Sequence, residues 1–470
     1  MGVIGLIMLP PLVMAIALRE GPMIHGFIIS LSLSLGAALP SLSYSLVAGN
    51  RKPVRLSPRD GFLLVFLTWV LASLLGALPF LFSGLSFTDA VFESAAGFTT
   101  TGGSTIADIE ALPRSLLLWR SLTHWFGGMG IVLLTVALMP LLGVGGFQLI
   151  KAESPGPEKE KMTPKIAATA KFIWIVYSSL TLLLTLLYRL GGMGWFDAVC
   201  HGLSIMAGGG ISTKNAGLAY YDSAFIDGIS LVFMLLTAIN YSLYYRLLRG
   251  KFRDLASNTE LKAFLGIFLI AAVVLSAILA VHYGSLSLAL RYGFHQAASI
   301  LSTTGAVIID YEVWPQAAKA ILLVLAFIGG CSGSTAGGIK VIRYAVLFKQ
   351  AGNELRQIIY PRGIFKVQIN RKVGRKDLIY GAAGFFFLYF LVMMITTLIT
   401  AASGTDLFSS FSAALSVIGN IGAGFGAVGF NGSYGGFPGY IKWLYSFVMI
   451  AGRLELWTVF ILFMPAYWRK

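Results

Sequence analysis

The chain is predicted to be an all-α membrane protein of about ten transmembrane helices, with four re-entrant pore loops in pseudo-fourfold helix–loop–helix repeats. Three observations predict this. Of 470 residues, 57% are hydrophobic and 12% charged, too few charges to clothe a soluble protein of this size. Apolar runs of about 20 residues, the length a helix needs to cross a bilayer, recur along the whole chain. Between them lie four short glycine-rich tracts at similar intervals.

The apolar runs fall near 2–18, 23–49, 60–83, 116–142, 166–190, 223–249, 261–283, 315–350, 378–402 and 440–466. The first begins at Met1 and has the position of an uncleaved signal anchor. No small-residue cleavage site follows it, and Arg19-Glu20-Gly21-Pro22 reads as a turn. The implied organisation is two extra N-terminal helices over 1–55, then repeats over 56–165, 166–260, 261–376 and 377–470.

A net charge of +15 raises nucleic-acid binding, but the bases form no single patch. They fall in alternate loops: Arg51, Lys52, Arg55 and Arg59; Lys151, Lys159, Lys161, Lys165 and Lys171; Arg246, Arg249, Lys251, Arg253 and Lys262; ten more from Lys340 to Lys376; and Arg469 with Lys470. That is 26 of the 35. The positive-inside rule then puts both termini in the cytoplasm, and an even number of crossings agrees. No nucleic-acid partner is expected; the partner of such a surface is the lipid bilayer.

Each glycine-rich tract follows the same grammar: a polar or acidic start, about three turns of small and apolar residues, then glycines. The four run from Phe87 to Gly103, Phe196 to Gly210, Phe294 to Gly305 and Asp406 to Gly424. Asp89, Asp197 and Asp406 suit helix N-caps. Some 12 residues at 1.5 Å each cannot span a bilayer, so each is expected to be a half-helix that enters from outside and stops midway. Its C-terminal end then carries partial negative charge toward the membrane centre, which favours a cation. Non-helical backbone at that depth must line a polar cavity. The central glycines are read as Gly102, Gly209, Gly305 and Gly422. The plain alternative is four ordinary glycine-rich turns, which does not account for four in register.

Rings of backbone carbonyls replace the water of a dehydrating potassium ion, and glycine permits the backbone angles that turn carbonyls inward. The candidate ion-binding residues are Thr100, Thr101 and Gly102; Gly208 and Gly209; Thr303, Thr304 and Gly305; and Asn420, Ile421 and Gly422. Glycine at all four centres argues for potassium over sodium. Glu93, Asp108, Glu110, Asp310 and Glu312 are expected either to attract cations at the outer mouth or to be solvated loop charges.

The eighth run is interrupted by Gly329, Gly330, Gly333, Gly337 and Gly338, mixed with Ser332, Ser334 and Thr335. At about 1 kcal/mol lost per glycine, no helix continues through it. A phosphate-binding loop is excluded because no Gly-Lys-Ser/Thr follows at the required spacing. A flexible plug beneath the filter is expected, against the alternative of a rigid break for packing. Arg453 is read as sitting mid-way along the last helix, where a charge costs roughly 2.5–3.5 kcal/mol and must face the interior. Glu455, two positions on, is no partner for it within one helix.

Cys200 and Cys331 lie in different repeats, with neither a disulfide framework nor metal spacing. His25, His124, His201, His282 and His295 show no ligand pattern and are assigned to packing or interfacial positions. No nucleophile–base pair occurs, so no enzyme activity, catalytic residue or covalent cofactor is expected. A membrane enzyme of lipid or glycan metabolism would need paired acids or metal ligands at one face.

These residues resemble the Trk/Ktr/HKT superfamily of potassium transporters from about residue 55 to the end. The most specific stretches are Thr99-Thr-Thr-Gly102, Trp119-Arg-Ser-Leu-Thr-His-Trp-Phe-Gly-Gly-Met-Gly130, Gly329-Gly-Cys-Ser-Gly-Ser-Thr-Ala-Gly-Gly-Ile-Lys340 and Gly452-Arg-Leu-Glu-Leu456. The two extra N-terminal helices are similar to the TrkH branch. The resemblance implies a gated potassium uptake pore of the bacterial inner membrane, driven by the membrane potential, with potassium in the filter. It also implies a homodimer with one pore per subunit and a cytoplasmic TrkA-type nucleotide-binding regulatory subunit. It makes the stretch through Lys340 an intramembrane gating loop and puts Arg453 under the filter as a barrier to cations. A sodium-conducting or ion-coupled transporter on the same scaffold is the competing reading. Two departures stand out: the second filter reads Ala207-Gly208-Gly209-Gly210, with no threonine before the glycine pair, and the fourth has no threonine.

Overall fold

A computed structural model of the chain describes residues 2–47, 58–130, 166–370, 372–373 and 376–469. Arg51, Lys52, Arg55, Lys151, Lys159, Lys161 and Lys165, the expected span beyond residue 130 and the boundaries at 55 and 165 lie outside them. The described fold is mostly helical, and its one sheet is a two-stranded hairpin, Gln368–Ile369 against Lys372–Val373.

The N-terminal run is two helices, α1 (Gly2–Ile7) and α2 (Leu9–Leu18), ended by Arg19 in the left-handed region and followed by α3 (Gly21–Val47). Four repeats follow. Their outer helices are α4 (Pro58–Leu81), α7 (Ile166–Leu190), α11 (Thr259–Tyr283) and α15 (Lys376–Ala401). Their short helices are α5 (Phe87–Phe98), α8 (Trp195–Ala207), α12 (Leu286–Leu301) and α16 (Leu407–Gly419). Their inner helices begin with α6 (Arg114–Gly128), α9 (Ala224–Thr237), α13 (Gln316–Ala326) and α17 (Gly439–Arg453). After its break each of the last three resumes, as α10 (Tyr241–Leu248), α14 (Val341–Ile359) and α18 (Trp457–Phe460).

Five helices among the described residues are long and apolar enough to cross a membrane: Gly21–Leu39, Arg59–Leu81, Thr169–Leu190, Thr259–Tyr283 and Asp377–Ala401. There are seven if each bent pair counts as one span, with bends of 95° between α9 and α10 and 109° between α17 and the segment Trp457–Phe463. The expectation of continuous helices over 223–249 and 440–466 is therefore corrected. Interior breaks leave backbone groups without helical partners, and other protein groups satisfy them here.

Each short helix packs between the outer and inner helices of its own repeat and against the inner helix of the preceding one: α8 on α6, α12 on α9, α16 on α13 and α5 on α17. The circuit closes. Its outside is apolar, with Leu190, Ile270, Val281 and Phe387 all exposed, while Glu93, Arg120, Glu260, Lys340 and Arg343 are buried. Charge inside and hydrocarbon outside is the arrangement of a protein whose solvent is lipid.

Candidate functional site

The four short helices end at one place. After each, the chain takes a left-handed residue, a residue of ordinary hand, then a left-handed glycine: Thr100 and Gly102, Gly208 and Gly210, Thr303 and Gly305, Asn420 and Gly422. A Cβ on Gly102 would strike the carbonyl oxygen of Gly209; on Gly210, that of Thr304; on Gly305, that of Ile421; on Gly422, that of Thr101. Each loop therefore abuts the next, and the fourth returns to the first. Only a residue without Cβ fits at these four points. All four helices direct C-terminal ends, with their partial negative charge, at this ring.

This register corrects one assignment: the central glycine of the second loop is Gly210, not Gly209. Gly209 stands where Thr101, Thr304 and Ile421 stand, and Gly208 where Thr100, Thr303 and Asn420 stand. The acids carried the signal, since Asp89 precedes Thr100 and Asp197 precedes Gly208 by the same spacing, whereas three consecutive glycines hide it. The loop residues themselves are buried, Thr100, Thr101, Thr303, Thr304 and Asn420 all at 1% exposure or less. The Asn420 amide donates to Thr101 Oγ1 (2.9 Å) and to the Met449 carbonyl (3.0 Å), so the fourth loop's side chain braces the first loop.

Behind the loops lie residues that the sequence placed at the outer mouth or gave only a packing role. Glu93 is not at an outer mouth. It is buried, paired with Arg120 at 3.2 Å, and accepts from Ser104 Oγ (2.7 Å) and Thr105 N (2.6 Å). His201 occupies the same place in the second repeat, its Nε2 2.9 Å from Ser212 Oγ. The His124 ring fills the space behind Gly209. Of the expected N-caps only Asp406 is one, accepting from Ser409 N at 2.9 Å; Ser409 also holds its carboxyl below the ordinary range. Ser86 caps α5, and Asp89 instead pairs with Lys442 of α17 (2.6 Å). Asp197 accepts from Thr213 Oγ1 (2.7 Å). Other ties cross the remaining seams. Asn215 donates to Asp108 (2.9 Å) and lowers its carboxyl, Arg291 of α12 pairs with Asp227 of α9 (2.7 Å), and Gly426 N donates to Glu312 (2.6 Å).

Directly against the ring lies the break between α13 and α14, residues 327–340. Its ends are drawn together: Gly329 N donates to Ile339 O (2.9 Å) and Val341 N to Gly330 O (3.2 Å). Gly337 N donates to the Thr303 hydroxyl at 2.7 Å, and its Cα abuts Gly419 O and Asn420. Thr335 packs near Gly208, and Gly338 near Thr303. Gly333, left-handed, accepts from Tyr241 N (3.0 Å), and Ser334 Oγ donates to Cys331 O (2.6 Å). Lys340 folds back to donate to Ala336 O.

Arg453 is the last residue of α17, not a mid-helix residue. Its guanidinium donates to Thr335 O (2.5 Å), Gly128 O (2.8 Å) and Gly127 O (3.0 Å), tying the loop to the end of α6. Glu455 lies beyond the helix in the left-handed region and pairs with buried Arg343 of α14, which also stacks on Phe385. Both cysteines are free and buried. Among the described residues no His/Cys/Asp/Glu cluster could hold a metal ion.

The family model described as TrkH, cation transport protein, matches residues 37–470. The Trk system potassium uptake protein TrkH of Salmonella typhimurium is 39% identical, covering 90% of this chain and 88% of that one. TrkH of Halomonas elongata is 38% identical, covering 99% and 96%. The crystal structure of the potassium transporter TrkH from Vibrio parahaemolyticus matches with a TM-score of 0.87 at 34% identity, covering 100% of this chain and 97% of that one. The chain belongs to the TrkH family of cation transport proteins and is a membrane protein.

Proposed function

We propose that this TrkH-family chain is the pore-forming membrane subunit of a potassium uptake system. It passes potassium down the membrane potential, through the axis of the four-loop ring. In this reading the four glycine loops are re-entrant pore loops within ten membrane crossings, both termini are cytoplasmic and the membrane is a bacterial inner membrane. The backbone carbonyls of the loops replace the ion's water, assisted by the four helix C-terminal ends. Threonine hydroxyls add ligands only in the first and third loops. The loop 327–340 and Arg453 form the gate. They lie against one face of the ring, where a guanidinium repels cations and a glycine-rich segment occupies the path. A homodimer and a cytoplasmic TrkA-type nucleotide-binding subunit complete the assembly.

One observation carries the reading: the ring closes, with each central glycine against the next loop's carbonyl. The test is uptake of potassium against sodium in a bacterium lacking its own potassium transport, with ion-replacement flux in liposomes. Potassium uptake with sodium excluded is expected. Equal passage of sodium would favour the sodium-conducting or ion-coupled alternative and defeat the potassium filter.

A further inference from the structure

Glu260 is the second residue of α11, in the first turn of the third repeat's outer helix, yet is buried at 3% exposure. One of its carboxylate oxygens accepts from Ser332 N at 2.7 Å and from Ile342 N at 3.3 Å. These two amides stand at opposite shoulders of the loop 327–340. A single carboxylate oxygen thus spans the base of that loop, and the start of α11 stabilises its negative charge.

The preceding residue is held from the other direction. Thr259 N donates to Asn370 Oδ1 (2.8 Å), and Asn370 N donates to Thr259 Oγ1 (3.1 Å). Asn370 is the left-handed corner of the hairpin 368–373. The hairpin's Ile369 packs in one cluster with Ile342 and Val346 of α14 and Ala382 of α15, and Lys349 of α14 donates to Gln368 O (2.6 Å). Hairpin, start of α11 and exit of the loop therefore form one connected unit.

We propose that Glu260 is a positioning residue that latches the loop 327–340 shut, and that the Thr259–Asn370 bonds link this latch to the hairpin. A pull on the hairpin would move Glu260 and release both shoulders together. The proposal rests on the gate reading above for its effect on ion flow, but not for its effect on the loop.

The chain supplies its own reporter. It has two cysteines, and Cys331 adjoins Ser332 within the loop. In a C200S background, inside-out vesicles are treated with a cationic methanethiosulfonate and Cys331 modification is timed, with potassium flux measured in liposomes. E260Q keeps the shape but loses the charge-assisted bonds, and is expected to raise both rates by ~10-fold. N370G keeps the left-handed backbone and removes the side-chain acceptor of Thr259 N; it leaves Glu260 itself unchanged, and ~3-fold is expected. An unchanged Cys331 rate in E260Q overturns the latch, and an unchanged rate in N370G overturns its link to the hairpin. Should E260Q not fold, E260D, which keeps the charge and shortens the reach, replaces it with the same two outcomes. Faster modification without faster flux supports the latch and defeats the gate reading.

Discussion

The outer and inner helices of the repeats differ in one respect above all. The outer helices α4, α7, α11 and α15 run unbroken for 24–26 residues, while the described inner segments α6, α9, α13 and α17 stop after 11–15. In lipid a helix must satisfy its own backbone, so an outward-facing helix cannot stop midway. An inner helix can, because other protein groups take up the freed carbonyls and amides. Arg453 does so for α6, and Thr335 and Cys331 for α9, whose following carbonyls at Thr237 and Ala238 they bond. The breaks lie at the ends of the short helices or at the loop 327–340 set against the ring, and the outer helices supply the continuous wall that lets them exist.

The sharpest way to break this division is at the ring. Gly422→Ala puts a Cβ on a left-handed residue against Thr101 O. Such strain costs about 1–3 kcal/mol before the collision is counted. Potassium uptake is expected to fall ~100-fold or more, read by growth and rubidium uptake in a transport-deficient strain. Next is the last inner break. Glu455→Ala leaves Arg343 buried without its carboxylate, and stability in detergent should drop by about 3–5 kcal/mol, read by thermal unfolding. Arg453→Ala removes a cation from the path and is expected to raise liposome potassium flux ~10-fold in folded protein. Unchanged flux there would argue against a barrier. The smallest effect belongs to the outer wall: Val274→Gly, on exposed α11, should cost about 1 kcal/mol of helix stability and leave uptake intact. A transport defect as large as that of the ring variant would erase the distinction between wall and pathway.

The outer helices were legible because hydropathy and continuity coincide there; the run expected over 261–283 is α11. The break at 327–340 was legible because five glycines announce it. The breaks after Thr237 and Arg453 were not. No glycine lies within 238–240 or 454–456, the breaks themselves, and Glu455 and Leu456 hold positive φ although neither side chain favours it. Tertiary partners, Arg343 above all, impose that conformation, and they lie more than a hundred residues away. The second glycine loop's register was hidden for the opposite reason: three glycines fit any alignment, and only helix spacing from Asp197 chooses among them. Glu93 was misplaced because an acid in a loop-rich region reads as solvated until its arginine, 27 positions on, is brought beside it.

All four quarters of the ring come from a single chain. In a ring of identical subunits one codon change alters every sector at once. Here it alters one sector and leaves three as they were. The neighbours of each loop are already unlike one another: a Glu–Arg pair behind the first, a histidine behind the second, a hydroxyl held by the loop 327–340 in the third, an asparagine brace in the fourth. The surroundings of each loop can therefore be varied sector by sector, and a hybrid ring with one foreign loop is an accessible variant, not an assembly problem.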